Sequence, residues 1–305
     1  MKKIFIALLC CTGAGALFAQ DTTKVGTPQQ PADTAKEKTT LTVAALYGSG
    51  IDYYGQTTDQ RLPYLALNAT VRIPLGLYLS ATGFHLFADS LLLSASALSL
   101  GYGFNITPKL SGDLSFTHSF YPSKSPFLQA SSPNMASGSL AYDHFLKTAL
   151  EADVAFGEQS DYFTTLSNSK SFDFNLSGGS AILSFTPELA LTAGTQQYYE
   201  TYLTEKENPG KGKGNGNSNG NGNGNGNGNG NGNGNGNNNP PGQTTETTID
   251  YRKYGLLSYN LKLPVSYNRA SYLIEAALKL SLLGSNTPNK GSTNAFFTLS
   301  AYYQF

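Results

Sequence analysis

Ala295-Phe-Phe-Thr-Leu-Ser-Ala-Tyr-Tyr-Gln-Phe305 is the stretch that decides the fold. Counted back from Phe305, alternate residues are Tyr303, Ala301, Leu299, Phe297 and Ala295, all apolar or aromatic. The residues between them are Gln304, Tyr302, Ser300, Thr298, Phe296 and Asn294, which are mostly polar. Side chains that alternate in character with a period of two belong to a β-strand with one apolar and one wetter face.

Working outward from this strand, the same alternation recurs as far back as Thr39, with turn residues between segments. Leu41 to Tyr47 and Leu65 to Ile73 form the first two segments, and the third starts at Leu75 after Pro74. The fourth, Leu91 to Phe104, changes phase near its middle and implies a bulge there. Further strands are expected at Leu110–Phe120, Ala136–Tyr142, Thr148–Phe156, Ser171–Phe185 with a bulge at Gly178-Gly179, and Glu188–Leu203. After a Gly-Asn tract, strands resume at Ile249–Leu263, Tyr272–Leu282 and Ala295–Phe305, with Pro264–Arg269 read as a turn. Ile106-Thr-Pro-Lys-Leu110 and Phe185-Thr-Pro-Glu-Leu189 look like two copies of one turn.

The count is twelve strands, with ten or fourteen as the alternatives. The links near residues 74, 107, 145, 187 and 266 are short, and those near 55, 86, 128, 163, 225 and 288 are mostly longer. An even count with short turns at one end and long loops at the other is the pattern of an all-β, transmembrane, antiparallel up-and-down β-barrel. The last strand then closes the ring against the one near Leu41.

Composition agrees. The chain has 19 Tyr, 17 Phe and no Trp, only 13% charged residues and a formal net charge of zero. A neutral chain lacks the basic excess that nucleic acid demands. Both cysteines, Cys10 and Cys11, fall in an expected signal peptide, residues 1–19, made of basic Lys2-Lys3, an apolar core from Ile4 and a cleavage point after Ala19. Residues 20–38 read as a disordered periplasmic segment, and 39–305 as the barrel. Residues 204–248 read as a long, disordered, extracellular Gly-Asn-rich loop.

Tyr303 and terminal Phe305 resemble the C-terminal insertion signal of Gram-negative outer-membrane β-barrels. Tyr259-Asn-Leu-Lys-Leu-Pro-Val-Ser-Tyr267 followed by Phe296–Phe305 is similar to the C-terminal hairpin of a poorly characterised group of such barrels. The resemblance implies residence in the Gram-negative outer membrane after signal-peptide export. Its implied partners are outer-membrane lipid, periplasmic chaperones and the barrel assembly machinery. It brings no activity with it.

Strand phase aims Asp113, Glu151, Asp153 and Asp173 into the lumen from one side, and Arg72, Arg252, Lys262 and Lys279 from the other. Acids facing bases across a lumen orient and select solutes. The leading expectation is therefore a passive channel for small solutes. A non-conducting structural or surface-interaction barrel is the alternative, since the charges can also pair to fill a narrow lumen. A carrier of hydrophobic solutes is weaker, resting on inward Tyr78, Tyr254, Phe296 and Tyr302. The three histidines, His85, His118 and His144, share no face with one another. With Asp52 and Asp161 lacking a histidine partner, no enzyme, cofactor or metal site is expected. Tyr47, Tyr102, Phe120, Tyr142, Tyr251 and Tyr303 are expected in aromatic girdles.

Overall fold

The structure is a computed structural model that describes residues 38–57, 61–88, 90–122, 127, 132–176, 180–197 and 252–305. The expected signal peptide, nearly all of the 20–38 segment, Gly178-Gly179 and the Gly-Asn loop lie outside these residues. Fourteen strands follow in order: β1 Thr40–Gly48, β2 Tyr64–Arg72, β3 Leu77–Leu86, β4 Ala95–Thr107, β5 Leu110–Phe120, β6 Asn134–Asp143, β7 Lys147–Phe156, β8 Ser160–Ser169, β9 Phe172–Leu176, β10 Ala181–Phe185, β11 Glu188–Gly194, β12 Gly255–Arg269, β13 Tyr272–Leu283 and β14 Thr293–Gln304. Each pairs antiparallel with its neighbours, β11 bridges β8 to β12, and β1 closes on β14. The result is a closed ring of twelve strands, with β9 and β10 as two short additions.

Those additions are continuations. Glu188 faces Ser169 on one side of the break and Phe185 faces Phe172 on the other, so one register runs through both. It also runs through β12, where Glu188 faces Lys262 and Phe185 faces Val265. Two prolines mark the interruption. Pro187 accepts from the Lys170 N–H (3.2 Å) and Pro264 from the Thr186 N–H (3.2 Å), but neither proline can donate in return. The ladder therefore thins along two adjacent seams at one level. Phe185–Leu189 is thus a break within a strand and not the expected turn. The chain reverses instead between β9 and β10, which pair Leu176 with Ala181. Likewise Pro264–Arg269 is strand, paired with Ala277 to Tyr272, and the chain turns at Ala270-Ser271.

Other expectations shift less. Leu91–Leu93 precede β4 in an exposed loop, and the irregularity of β4 lies at Asn105/Thr107. The link expected near 163 is a tight turn at Gly157–Gln159, and β8 begins where that loop was expected.

The terminal strand behaves as its period demands. Phe297, Leu299, Tyr303 and Phe305 are exposed, while Phe296, Thr298 and Ser300 are buried. Tyr47 faces Leu299, Val43 faces Tyr303, and the Phe305 N–H donates to Leu41 O (2.9 Å). The same division runs around the ring, from Leu67 and Leu79 through Leu114 and Leu150 to Leu191 and Ile274, all exposed. A continuous apolar outer wall with aromatic ends is what a lipid-facing barrel presents. Of the expected girdle, Tyr47, Tyr102, Phe120, Tyr142 and Tyr303 are exposed on that wall, and Tyr251 lies outside the described residues.

Thr40 and Phe305 mark the near rim, where the links are short. The opposite, far rim carries the 49–63, 87–94, 121–133, 195–254 and 284–292 connections.

Candidate functional site

The link between β1 and β2 does not stand above the far rim. It folds into the lumen. Tyr53-Tyr54-Gly55-Gln56 forms a tight hairpin turn, with Tyr53 N–H to Gln56 O at 2.8 Å and Gln56 N–H to Tyr53 O at 3.0 Å. Tyr54 has φ 52° and Gly55 φ 89°, the two positive values that a type I′ turn requires. Glycine meets that demand freely; tyrosine does so under strain. Asp52 steadies the turn by accepting the Gly55 N–H on Oδ1 at 2.8 Å.

The turn is held on both sides of the lumen. Asp52 Oδ2 forms an ion pair with Lys279 of β13, and both side chains are almost wholly buried. The Tyr54 hydroxyl donates to Asp153 Oδ2 of β7 at 2.9 Å, and its ring stacks on Phe163 of β8 with centroids 3.6 Å apart. Ser258 Oγ of β12 donates to Tyr54 O (2.9 Å), and Asn294 Nδ2 of β14 donates to Gly55 O (2.9 Å). Phe163 lies three residues inside the start of β8, so the tip reaches about 10 Å below that point of the rim at roughly 3.3 Å per residue. The remaining part of the far lumen, toward β2–β4, is filled by an apolar cluster of Ile51, Tyr64, Phe84, Leu86 and Phe127 with smaller alanines.

Nearer the near rim the lining is different. Asn68 Nδ2 donates to Ser80 Oγ (2.7 Å) and Thr82 Oγ1 (2.8 Å), and Thr70 is bonded to both Asn68 (3.0 Å) and Ser80 (2.8 Å). Ser99 and Thr117 continue this hydroxyl lattice at 2.8 Å. Below it the Tyr78 hydroxyl donates to Asp113 Oδ1 (2.9 Å), and the Arg72 guanidinium lies 5.0 Å from the Tyr78 ring centre.

Of the eight expected lumen charges, Asp113, Asp153, Lys262 and Lys279 are buried and Arg72 and Glu151 are half-buried. The opposed-wall arrangement holds for Asp113 of β5 against Lys279 of β13, six strands apart in the ring; it does not hold for Glu151 and Asp153 of β7, which stands three strands from β12 and four from β13. It fails for Arg72. A carbon placed at the Gly103 Cβ position would lie 3.2 Å from both Arg72 and Asp113, so this base sits with the acid it was expected to oppose. Lys262 stands between Glu188 and Lys279 across its two seams. The other two charges are corrected. Asp173 is exposed on β9, beyond the proline break, and accepts from Ser171 Oγ (2.8 Å). Arg252 is exposed ahead of β12, because that strand begins at Gly255.

Of the inward aromatics, Tyr78 and Phe296 are buried and Tyr302 is half-buried, whereas Tyr254 is exposed before β12. The three histidines are engaged locally: His85 with Leu91 O (3.0 Å), His118 with Asn134 Oδ1 (2.8 Å) and His144 with Thr148 Oγ1 (2.8 Å). Asp161 is buried and accepts from Thr195 Oγ1 (2.6 Å) and the Gln197 N–H (2.8 Å), bracing the chain beyond β11. Among the described residues, no group of three His, Cys, Asp or Glu is placed to hold a metal ion.

Sequence reasoning placed Asp52 in an outer loop and missed Tyr53, Tyr54 and Gly55 altogether. The available signal was Asp52-Tyr-Tyr-Gly55, a turn sequence whose aromatic pair has no reason to stand in water.

No family model matches this chain, and no curated protein matches it. Solved structures do. The KdgM porin aligns over 87% of this chain and 99% of its own, with 10% identity and a TM-score of 0.45. An outer membrane channel from Pseudomonas putida F1 covers 90% of this chain and 99% of its own, at 13% identity and TM-score 0.42. LpxR from Salmonella typhimurium covers 87% and 99%, at 11% identity and TM-score 0.43. Likeness at this level leaves function to be argued from the chain's own residues.

Proposed function

We propose that this barrel resides in the outer membrane and is a channel for small polar solutes, closed at its far end in the state described. The near rim then faces the periplasm, and the apolar wall meets outer-membrane lipid. Tyr303 and Phe305 serve as the handle for the barrel assembly machinery after export and chaperone escort. The observation that carries the channel reading is the chemistry of the lumen. A barrel kept only as a scaffold could fill its interior with apolar side chains, with no charge to desolvate. This one buries Asp113, Asp153, Lys262, Glu275 and Lys279 there, among hydroxyls. Asp113 of β5 faces Lys279 of β13 six strands away, a transverse arrangement suited to polar solutes.

Single-channel recording in planar bilayers tests this. A variant lacking residues 50–57 is expected to conduct, and neutralising Asp113 and Lys262 in that background is expected to change its ion selectivity. A silent barrel in every form would overturn the reading.

One observation favours a second reading, a non-conducting surface barrel. The far lumen is packed with Tyr64, Phe84 and Phe127 beside the inserted turn, as a permanently closed barrel would be. Silence of the variant lacking 50–57 in lipid would support it.

A further inference from the structure

We propose that the inserted turn is a built-in ligand occupying the lumen's own solute site, and that the solutes which displace it are small carboxylates attached to a flat ring. The inference rests on the channel reading and names its solute class and its gate.

The turn presents four kinds of group to the wall, and each meets a matched partner. The Asp52 carboxylate meets Lys279. The flat face of Tyr54 meets Phe163 at 3.6 Å and 15°. Its hydroxyl meets Asp153. Two carbonyls meet Ser258 Oγ and Asn294 Nδ2. Removing the turn leaves a cation, an aromatic face, a carboxylate acceptor and two neutral polar groups, arranged on β7, β8, β12, β13 and β14. That set fits a ring bearing a carboxylate and hydroxyl or carbonyl groups.

Lys279 makes the exchange selective for anions. Its direct cross-strand neighbours are Lys262 on one side and Phe296 on the other, neither of them a carboxylate. Among the described residues the carboxylate at salt-bridge distance is that of Asp52, which arrives with the turn. Withdrawing the turn strands a buried cation beside a second lysine, a costly state. A solute carboxylate removes that cost; a neutral solute of the same shape does not. The turn is also a beatable competitor, because Tyr54 is held at φ 52°, outside the region a bulky side chain favours. Displacement therefore follows population shift: the carboxylate binds the open state and not the closed one.

The test uses the full barrel in planar bilayers, with benzoate as the probe and benzamide as its neutral counterpart. Wild type is expected to open at least about tenfold more often in benzoate than in benzamide, the factor set by a differential interaction of about 1.4 kcal/mol. Asp52→Asn is expected to stay open with either. Tyr53→Trp, in a chain with no other tryptophan, is expected to shift its emission to the red as benzoate is added. The inference is overturned if the variant lacking 50–57 conducts while wild type responds alike to benzoate and benzamide. It is equally overturned if Asp52→Asn stays as closed as wild type. If the variant lacking 50–57 is itself silent, the channel reading fails first and takes this inference with it.

Discussion

The far and near halves of one lumen are built by opposite rules. The far half is filled by a folded-back piece of chain and a cluster of rings, with Ile51, Tyr53, Tyr54 and Leu86 at zero exposure. The near half is lined by strand side chains, hydroxyls and amides bonded to their cross-strand neighbours, with charges at Arg72 and Asp113 beside Tyr78, at Glu151 on the level of Asp113, and at Glu275 on β13. Interactions in the near half join residues on nearby strands. Those in the far half tie one nine-residue stretch, 49–57, to five strands across the ring. The first kind forms as the sheet forms. The second is a separate docking step, and a docking step can be reversed. Perturbing each half therefore has a different signature.

The largest effect is expected at Lys279. Replacing it by Met leaves the Asp52 carboxylate buried without its cation, a change of about 3–5 kcal/mol for breaking one side of a buried pair. Guanidinium unfolding of the barrel in lipid vesicles, followed by circular dichroism, measures it. The double variant Asp52→Asn with Lys279→Met is expected to recover most of the loss, because no charge is then stranded. If the double variant is as unstable as Lys279→Met alone, the far half is held by something other than this pair.

Next comes Gly101 of β4, in the near half. A Cβ there would lie 2.1 Å from the Tyr78 ring, so Gly101→Ala must push Tyr78 off the position from which it bonds Asp113. Overpacking of this kind costs about 1–3 kcal/mol. The same unfolding measurement should report it, while conductance of the variant lacking residues 50–57 should change its selectivity as the Asp113 partner moves. An unaltered far-half signature, read from the Tyr53→Trp emission, would confirm that the halves are independent; a shifted one would break the comparison.

Tyr54→Phe is a smaller change in the far half. It keeps the ring on Phe163 and removes the hydroxyl that bonds Asp153. Loss of one buried hydrogen bond to a carboxylate costs about 1–3 kcal/mol, and that cost falls on the docked turn and not on the sheet that carries the ring. The variant should open more often than wild type in bilayers while its unfolding midpoint barely moves. A large fall in global stability would mean that the turn is part of the folding core.

What was readable in the sequence follows the same divide. The outward phases of β2, β13 and β14 and the closing pair were legible because a period of two is a local property that burial on one face enforces. The register around Pro187 and Pro264 was not. Each proline alone reads as a turn, and only their coincidence on adjacent seams lets two strands pass through with the ladder thinned at one level. Reading Ser171–Phe185 as one barrel strand carries Asp173 into the lumen, whereas that stretch is two short strands, β9 and β10, paired with each other. Arg252 is misplaced because Ile249 and Tyr251 extend the outward phase of the strand ahead of Gly255, where the ladder begins; the charged Lys253 on that same phase marks the break. The inserted turn was the least legible part. Asp52 and Tyr54 find their partners at Lys279 and Asp153, 227 and 99 residues away in the chain. No local pattern encodes contacts of that span.

The smallest effect on stability is expected at the near rim, where the chain ends. Deleting Phe305 removes the backbone bond to Leu41 O and an exposed ring set edge-on to Tyr303 at 4.7 Å. One rim hydrogen bond is worth about 0.5–1.5 kcal/mol, so barrel refolded in detergent should unfold within that margin of wild type. Neither lumen half contains Phe305, so conductance and the Tyr53→Trp emission should be unchanged. On the proposal that Phe305 is the assembly handle, yield in the outer membrane is expected to fall nonetheless. A truncated chain that assembles at wild-type yield would remove that role. A truncated chain whose far half opens would show that ring closure at β1 and β14 governs the turn, which would end the separation of the two halves.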